Sequence, residues 1–196
     1  MTGNEIIFAT ANFNKASEIQ QLLGSSVRLL TLKDVDILDN IPETGKTLKE
    51  NAALKAQYVF KRKGLPCFAD DTGLEVDALH GEPGVYSARY AGEFATDENN
   101  IQLLLKNLND ITTRSARFVT YICYIDATGA EHFFSGELAG EITAERAGEG
   151  GFGYDPVFRP NGSGLTLAQM TLDEKNRISH RAIAFRQLVK YLNNKD

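Results

Sequence analysis

Cysteine is scarce in this 196-residue chain: Cys67 and Cys123 are the only two. Two are too few for a disulfide framework and do not have a zinc-site spacing. Each lies in an apolar stretch, which suits small core residues in a reducing cytoplasm. No apolar run approaches the length of a membrane span, so no membrane partner is expected. The first ten residues, MTGNEIIFAT, have no basic region ahead of their short apolar run. They read as a first strand, not a signal peptide. Positive charge is also in deficit, with 21 Lys and Arg against 26 Asp and Glu and a net charge of −5. A protein that coats nucleic acid is expected to be basic, so a polyanion handled here is handled locally, in a pocket. There is no internal repeat, no low-complexity tract and no long linker. One domain over residues 1–196 is therefore expected.

What is present is an ordinary globular balance, 42% hydrophobic and 24% charged residues. Glu5 to Thr10 and Val27 to Leu32 read as strands, separated by a helix from Asn12 to Leu23 with Ile19, Leu22 and Leu23 on one face. Thr47 to Lys61 reads as a helix opened by a capping box, Thr47 with Glu50. Its apolar face is expected to hold Ala52, Leu54, Ala56, Val59 and Phe60. Leu65 to Ala69 and Leu74 to Val76 read as two strands with a tight turn at Gly73, and Thr96 to Leu108 as a helix. Phe118 to Ile125 is apolar on both faces and reads as a central strand. After a turn at Asp126 to Glu131, His132 to Ser135 returns and Gly140 to Ala144 extends the sheet. Ser179 is expected to cap a last helix that turns Ala182, Phe185, Leu188, Val189 and Leu192 inward. The class is α/β with a mixed sheet.

Several stretches carry candidate chemistry. TANFNK, Thr10 to Lys15, sits where a strand passes into a helix, where backbone amides and the helix dipole favour an anion. The same residues also suit a capped helix start with a surface lysine. Gly45-Lys46-Thr47 imitates part of a P-loop, but position 40 is asparagine where that motif needs glycine, so the P-loop is rejected. Glu43 and Glu50 are both candidates to help hold a divalent ion, and both suit a surface. Asp70 and Asp71 are adjacent; on a strand they point to opposite faces and should not share one task. The glycine-rich run from Gly148 to Gly153 lets backbone approach a ligand and presents Phe152 and Tyr154, a possible shelf for a nucleobase or simply a tight turn. Lys175, Arg177, His180 and Arg181 concentrate donors at what reads as a helix start, suited to an anionic or carbonyl-rich ligand. Arg89 is a candidate for substrate contact or for pinning its loop, and His80 and His132 are isolated.

Taken in order, TANFNK, ETGKTLKENAALKA, ADDTGLEVDAL, PGVYSARYAG, GGFGYDP and EKNRISHRAIA resemble the Ham1/inosine triphosphate pyrophosphatase family nearly end to end. The resemblance implies an elongated, two-lobed α/β fold with a long mixed central sheet flanked by helices and the active site in the cleft between lobes. It implies cleavage of ITP, dITP and XTP to the monophosphate and pyrophosphate with Mg2+, in a cytoplasmic homodimer. Carried over residue by residue, Thr10, Ala11, Asn12, Phe13, Asn14 and Lys15 would hold the triphosphate. Asp71 would bind magnesium and activate water, with Glu43 as the second acid at the metal. Thr72, where serine is common in the family, would contact substrate through its hydroxyl. Phe152, Gly153, Tyr154 and Asp155 would shelve the base. Lys175 would meet the phosphate end or the base, and His180 and Arg181 the base. A donor from Arg181 or the His180 region would pair with the C6 oxygen of hypoxanthine or xanthine and oppose the amino group of adenine. Asp70 would orient Lys15 or another phosphate-binding cation. The competing functions are a broader pyrophosphatase for modified pyrimidine triphosphates and a nucleotide-binding sensor without turnover.

Overall fold

Strands and α-helices alternate as far as the fourth strand, after which two further strands and then two helices follow in succession. The computed structural model describes residues 5–23, 28–39 and 41–194. Its strands are β1 Glu5–Phe8, β2 Arg28–Leu30, β3 Cys67–Val76, β4 Ser115–Ile125, β5 Glu131–Ile142 and β6 Phe158–Pro160. Its α-helices are α1 Phe13–Leu23, α2 Leu48–Lys63, α3 Asp97–Asn107, α4 Leu172–Ile178 and α5 His180–Asn193. The strands form one sheet in the order β2-β1-β3-β4-β5-β6. β1 runs parallel to β2 and β3, whereas β5 and β6 are antiparallel, so the sheet is mixed as expected. No helix among the described residues is long and apolar enough to cross a membrane.

The chain divides into two compact units. The first contains residues 1–71, 120–136 and 181–196, and the second residues 72–119 and 137–180.

In the first unit, residue parity sorts the strands onto two cores. Ile7 and Ala9 of the first strand segment, Cys67 and Ala69 of β3, and Cys123 and Ile125 of β4 join Ala52, Ala56 and Val59 of α2. Their even-numbered neighbours Phe8, Phe68, Ile122 and Tyr124 join Ala16 and Ile19 of α1 and Ala184, Phe185 and Leu188 of α5. Phe8 and Phe68 are register partners, and their rings stack at 4.6 Å. Helices thus cover both faces of these strands, and odd and even residues meet different helices.

The second unit is built on α3, whose Ile101 and Leu104 pack with Leu74, Val76, Phe118, Tyr154, Val157 and Phe158. Thr96 caps that helix in a reciprocal box with Asn99. A 3₁₀ turn over Gly84–Arg89 occupies PGVYSARYAG.

Several expectations are corrected. β3 is a single ten-residue strand that passes straight through Gly73, with no turn there. A strand buried on both faces has no polar alternation to mark its length, and glycine alone imitates a break. β5 likewise merges two expected strands into one. The buried stripe of α2 is Leu48, Asn51, Ala52, Lys55, Ala56 and Val59, so Leu54 falls outside it and a lysine falls inside. Ser179 is the C-cap of α4 and also directly precedes α5, so the cationic stretch spans two helices.

Candidate active site

The acidic pair lies at the edge of the first unit, where β3 carries the parity rule into polar residues. Asp70, on the even side, faces α1 and α5. Lys15 of α1 donates to it at 3.1 Å, and the Nε of Arg181 of α5 lies 3.4 Å from its other oxygen. Arg181 also pairs with buried Glu18 of α1. Asp71, on the odd side, faces α2. Lys55 donates to its Oδ1 at 3.2 Å and Asn51 to its Oδ2 at 3.1 Å. Lys55 donates as well to Glu43 at 2.6 Å.

The local sequence explains how these groups are held. Asn51 and Lys55 are one helical turn apart on the inward face of α2. Asn51 is oriented by accepting the Gly45 backbone N–H on Oδ1 at 2.8 Å. A Cβ on Gly45 would sit 2.7 Å from that oxygen, so only glycine allows the approach. Glu50 is absorbed in the helix cap, accepting from the backbone N–H of Lys46 and Thr47. That leaves Glu43 as the acid joined to Asp71, through Lys55. The two carboxylates converge on one ammonium, and this pair of hard oxygen donors could hold a hard divalent cation only if water or phosphate supplied its remaining ligands.

Electrostatics separate the two aspartates further. Burial alone would raise Asp70, but Lys15, Arg181 and Lys55 outweigh it and hold the carboxyl well below its usual range. Burial raises Asp71 as well, and there Lys55 only partly opposes it while Glu43 adds to it, so Asp71 stays above its usual value. Burial lowers Lys15 despite Asp70. Lys55 is raised, because Asp71, Glu43 and Asp70 overcome its burial. One carboxylate is thus a fixed anion and its neighbour a better proton acceptor.

At the start of α1, Thr10 is buried and its hydroxyl accepts the Asn12 N–H at 3.1 Å. Asn12 in turn accepts the Lys15 N–H at 3.1 Å, capping the helix. Ala11, Asn12, Phe13 and Asn14 are exposed ahead of that lysine. The capped-helix reading therefore holds, and it leaves the turn presented to solvent as an anion site requires.

The second unit gathers a different set. Asp155 accepts the Phe152 N–H at 2.9 Å and Lys175 at 2.6 Å on the same oxygen. The Lys175 ammonium lies 4.7 Å from the Phe152 ring centroid. Gly151 has φ +74°, and a Cβ there would collide with Asp155. Tyr154 is buried in the core, its hydroxyl donating to the Ser87 carbonyl at 2.9 Å. It anchors the loop that Phe152 crowns. His180 is buried against Phe118, with ring centroids 4.7 Å apart. Thr72, half-buried, follows Asp71 on β3. Arg177 is exposed on α4.

The first unit therefore holds two clusters, Lys15 and Arg181 about Asp70 beside the Thr10 to Lys15 turn, and Glu43 joined to Asp71 through Lys55. The second brings together Phe152 to Asp155 with Lys175. Sequence reasoning missed Asn51, Lys55 and Glu18. The first two had a signal: polar residues at positions 51 and 55 interrupt the stripe Leu48, Ala52, Ala56, Val59 at helical spacing.

Comparison with known proteins follows the same stretches. The model of the Ham1 family matches residues 6–191. A dITP/XTP pyrophosphatase of Flavobacterium psychrophilum is 47% identical over 97% of this chain and 100% of its own length. One from Christiangramia forsetii is 50% identical over 96% of this chain and 98% of its own. Among solved structures, the Ham1 protein of Staphylococcus aureus superposes with a TM-score of 0.89 at 38% identity, covering 98% of this chain and 100% of that one.

Proposed function

The chain belongs to the Ham1 family, and on that premise we propose that it hydrolyses the non-canonical purine triphosphates ITP, dITP and XTP to the monophosphate and pyrophosphate. It is a nucleoside triphosphate pyrophosphatase that cleanses the nucleotide pool. The observation that carries the reading is the buried Asp71, held by Lys55 and Asn51 of α2 and linked through Lys55 to Glu43. Beside it on the same strand, Asp70 fixes Lys15.

The reaction needs a water deprotonated and a phosphorus relieved of surrounding negative charge. Asp71 is placed to take the water proton. The turn from Thr10 to Lys15 binds the triphosphate through its amides, short polar side chains and ammonium. Asp70 keeps that ammonium in place. Lys55 holds Asp71 and Glu43 in register with each other. Magnesium is the proposed metal, held by Asp71 and Glu43; when bound it supplies charge neutralisation at the phosphate oxygens. Thr72 offers its hydroxyl to substrate.

For the base, the Phe152 ring is the proposed shelf, with Gly153, Tyr154 and Asp155 shaping the loop and Lys175 fixed beside it. His180 and Arg181, adjacent at the start of α5, are proposed to read the C6 oxygen. Arg181 brings a guanidinium already fixed by Glu18 and Asp70. A homodimer in the cytoplasm completes the proposal; Cys67 and Cys123 fit a reducing compartment as buried thiols, each pushed up to about 12 by burial.

A pyrophosphate-release assay across ITP, dITP, XTP, ATP and GTP tests the reading. Magnesium-dependent release from the first three, with ATP and GTP much poorer, is expected. Comparable rates on all five would overturn the specificity, and nucleotide binding without any product would overturn the activity.

A further inference from the structure

We propose that Asp97, at the first position of α3, is a positioning residue that fixes the base-binding loop through the Gly153 backbone. The proposal rests on Phe152 serving as the base shelf.

Asp97 Oδ2 accepts the Gly153 N–H at 2.7 Å, across 56 residues of sequence. Gly153 has φ +60° and follows Phe152 directly. The Phe152 N–H is itself held by Asp155 at 2.9 Å. Upstream, Gly150 donates to the Ala168 carbonyl at 3.0 Å and Ala147 to the Pro156 carbonyl at 2.9 Å. Phe152 therefore sits between two amides that are each captured by a carboxylate. The next residue of α3 repeats the arrangement, since Glu98 pairs with Arg146 just ahead of the loop.

Asp97 is well suited to act as a fixed point. Its helix is capped by the Thr96–Asn99 box, and Ile101 and Leu104 are buried in the core. The cap does not use the Asp97 side chain, which is left to reach the loop. A carboxylate in the first helical turn is also favoured by the helix dipole. Without that acceptor the Gly153 amide loses its partner, and a glycine-rich segment gains backbone freedom that must be given up when the base docks. The effect falls on binding more than on the chemical step.

The test combines kinetics with a spectroscopic reporter. Phe152→Ala is measured first, and a raised KM for ITP establishes the shelf. Asp97→Ala is then expected to raise KM roughly fivefold to tenfold, the scale of one ordinary exposed hydrogen bond, with kcat almost unchanged. Asp97→Asn keeps an acceptor oxygen and should restore most of the affinity. The chain has no tryptophan, so Phe152→Trp places a single reporter in the loop. Adding Asp97→Ala to it should lower the fluorescence anisotropy without changing Tm. Unchanged KM and anisotropy in Asp97→Ala overturn the proposal. So does a joint fall of kcat and Tm that Asp97→Asn fails to rescue. Unchanged KM in Phe152→Ala would instead overturn the shelf, with the anisotropy still judging the tether alone.

Discussion

Asp70 and Asp71 are neighbours on β3, yet each holds a different lysine: Lys15 lies 3.1 Å from Asp70 and Lys55 lies 3.2 Å from Asp71. The strand pleat sends one carboxylate to the α1 and α5 face and the other to the α2 face. Their opposite proton affinities follow from what each face supplies.

Replacing Asp71 with Asn should lower kcat by about a thousandfold or more, within the range for loss of a positioned general base. The fold should survive, because Lys55 retains Glu43. Circular dichroism together with single-turnover pyrophosphate release checks both halves, and activity near the wild-type level would remove Asp71 from the mechanism.

Asp70→Asn should act differently, weakening triphosphate binding through a loosened Lys15 while leaving measurable turnover. It also carries a pH signature. The folded-state Asp70 is held below the unfolded value of about 4. Its contribution to stability is therefore present above that pH and is lost as pH falls towards the folded value. Urea denaturation between neutral and acid pH should show a steep loss in the wild type and a flatter one in the variant. Parallel curves would disprove this assignment.

Lys55 and Glu43 push Asp71 in opposite directions, Lys55 downward and Glu43 upward, on top of a burial effect that raises it. Lys55→Met should therefore move the Asp71 titration to higher pH, and Glu43→Gln to lower pH. Carboxyl carbon NMR on the magnesium-free protein reads both shifts; a shift of the same sign in the two variants would contradict the geometry.

Chelation should stop pyrophosphate release, and added magnesium should restore it. Glu43→Gln should raise the magnesium concentration needed for half-activity roughly tenfold or more, on the scale of a weakened metal site. An unchanged magnesium requirement in Glu43→Gln would take Glu43 out of the site. Glu50→Gln, which alters only a helix cap, should leave that requirement as in the wild type.

Local chemistry was enough to read much of this protein from its residues. The Thr47–Glu50 cap, the amphipathic face of α3, the turn after Ile125 and the Thr10 to Lys15 junction depend on neighbours a few positions apart, so their signals lie within short windows. That Asp70 and Asp71 face opposite ways also followed from the two-residue period of a strand. Tertiary structure decided the rest. Only the packing of α2 on β3 brings Lys55 and Asn51 to Asp71 and links Glu43 to it through Lys55, and only the sheet shows β3 running unbroken through Gly73. Only the fold brings Glu18 of α1 and Arg181 of α5 together, 163 positions apart in the chain. Burying a charge is unfavourable unless an opposite charge meets it. Which partner it meets depends on how helices lie across a sheet, and no short stretch of sequence contains that information.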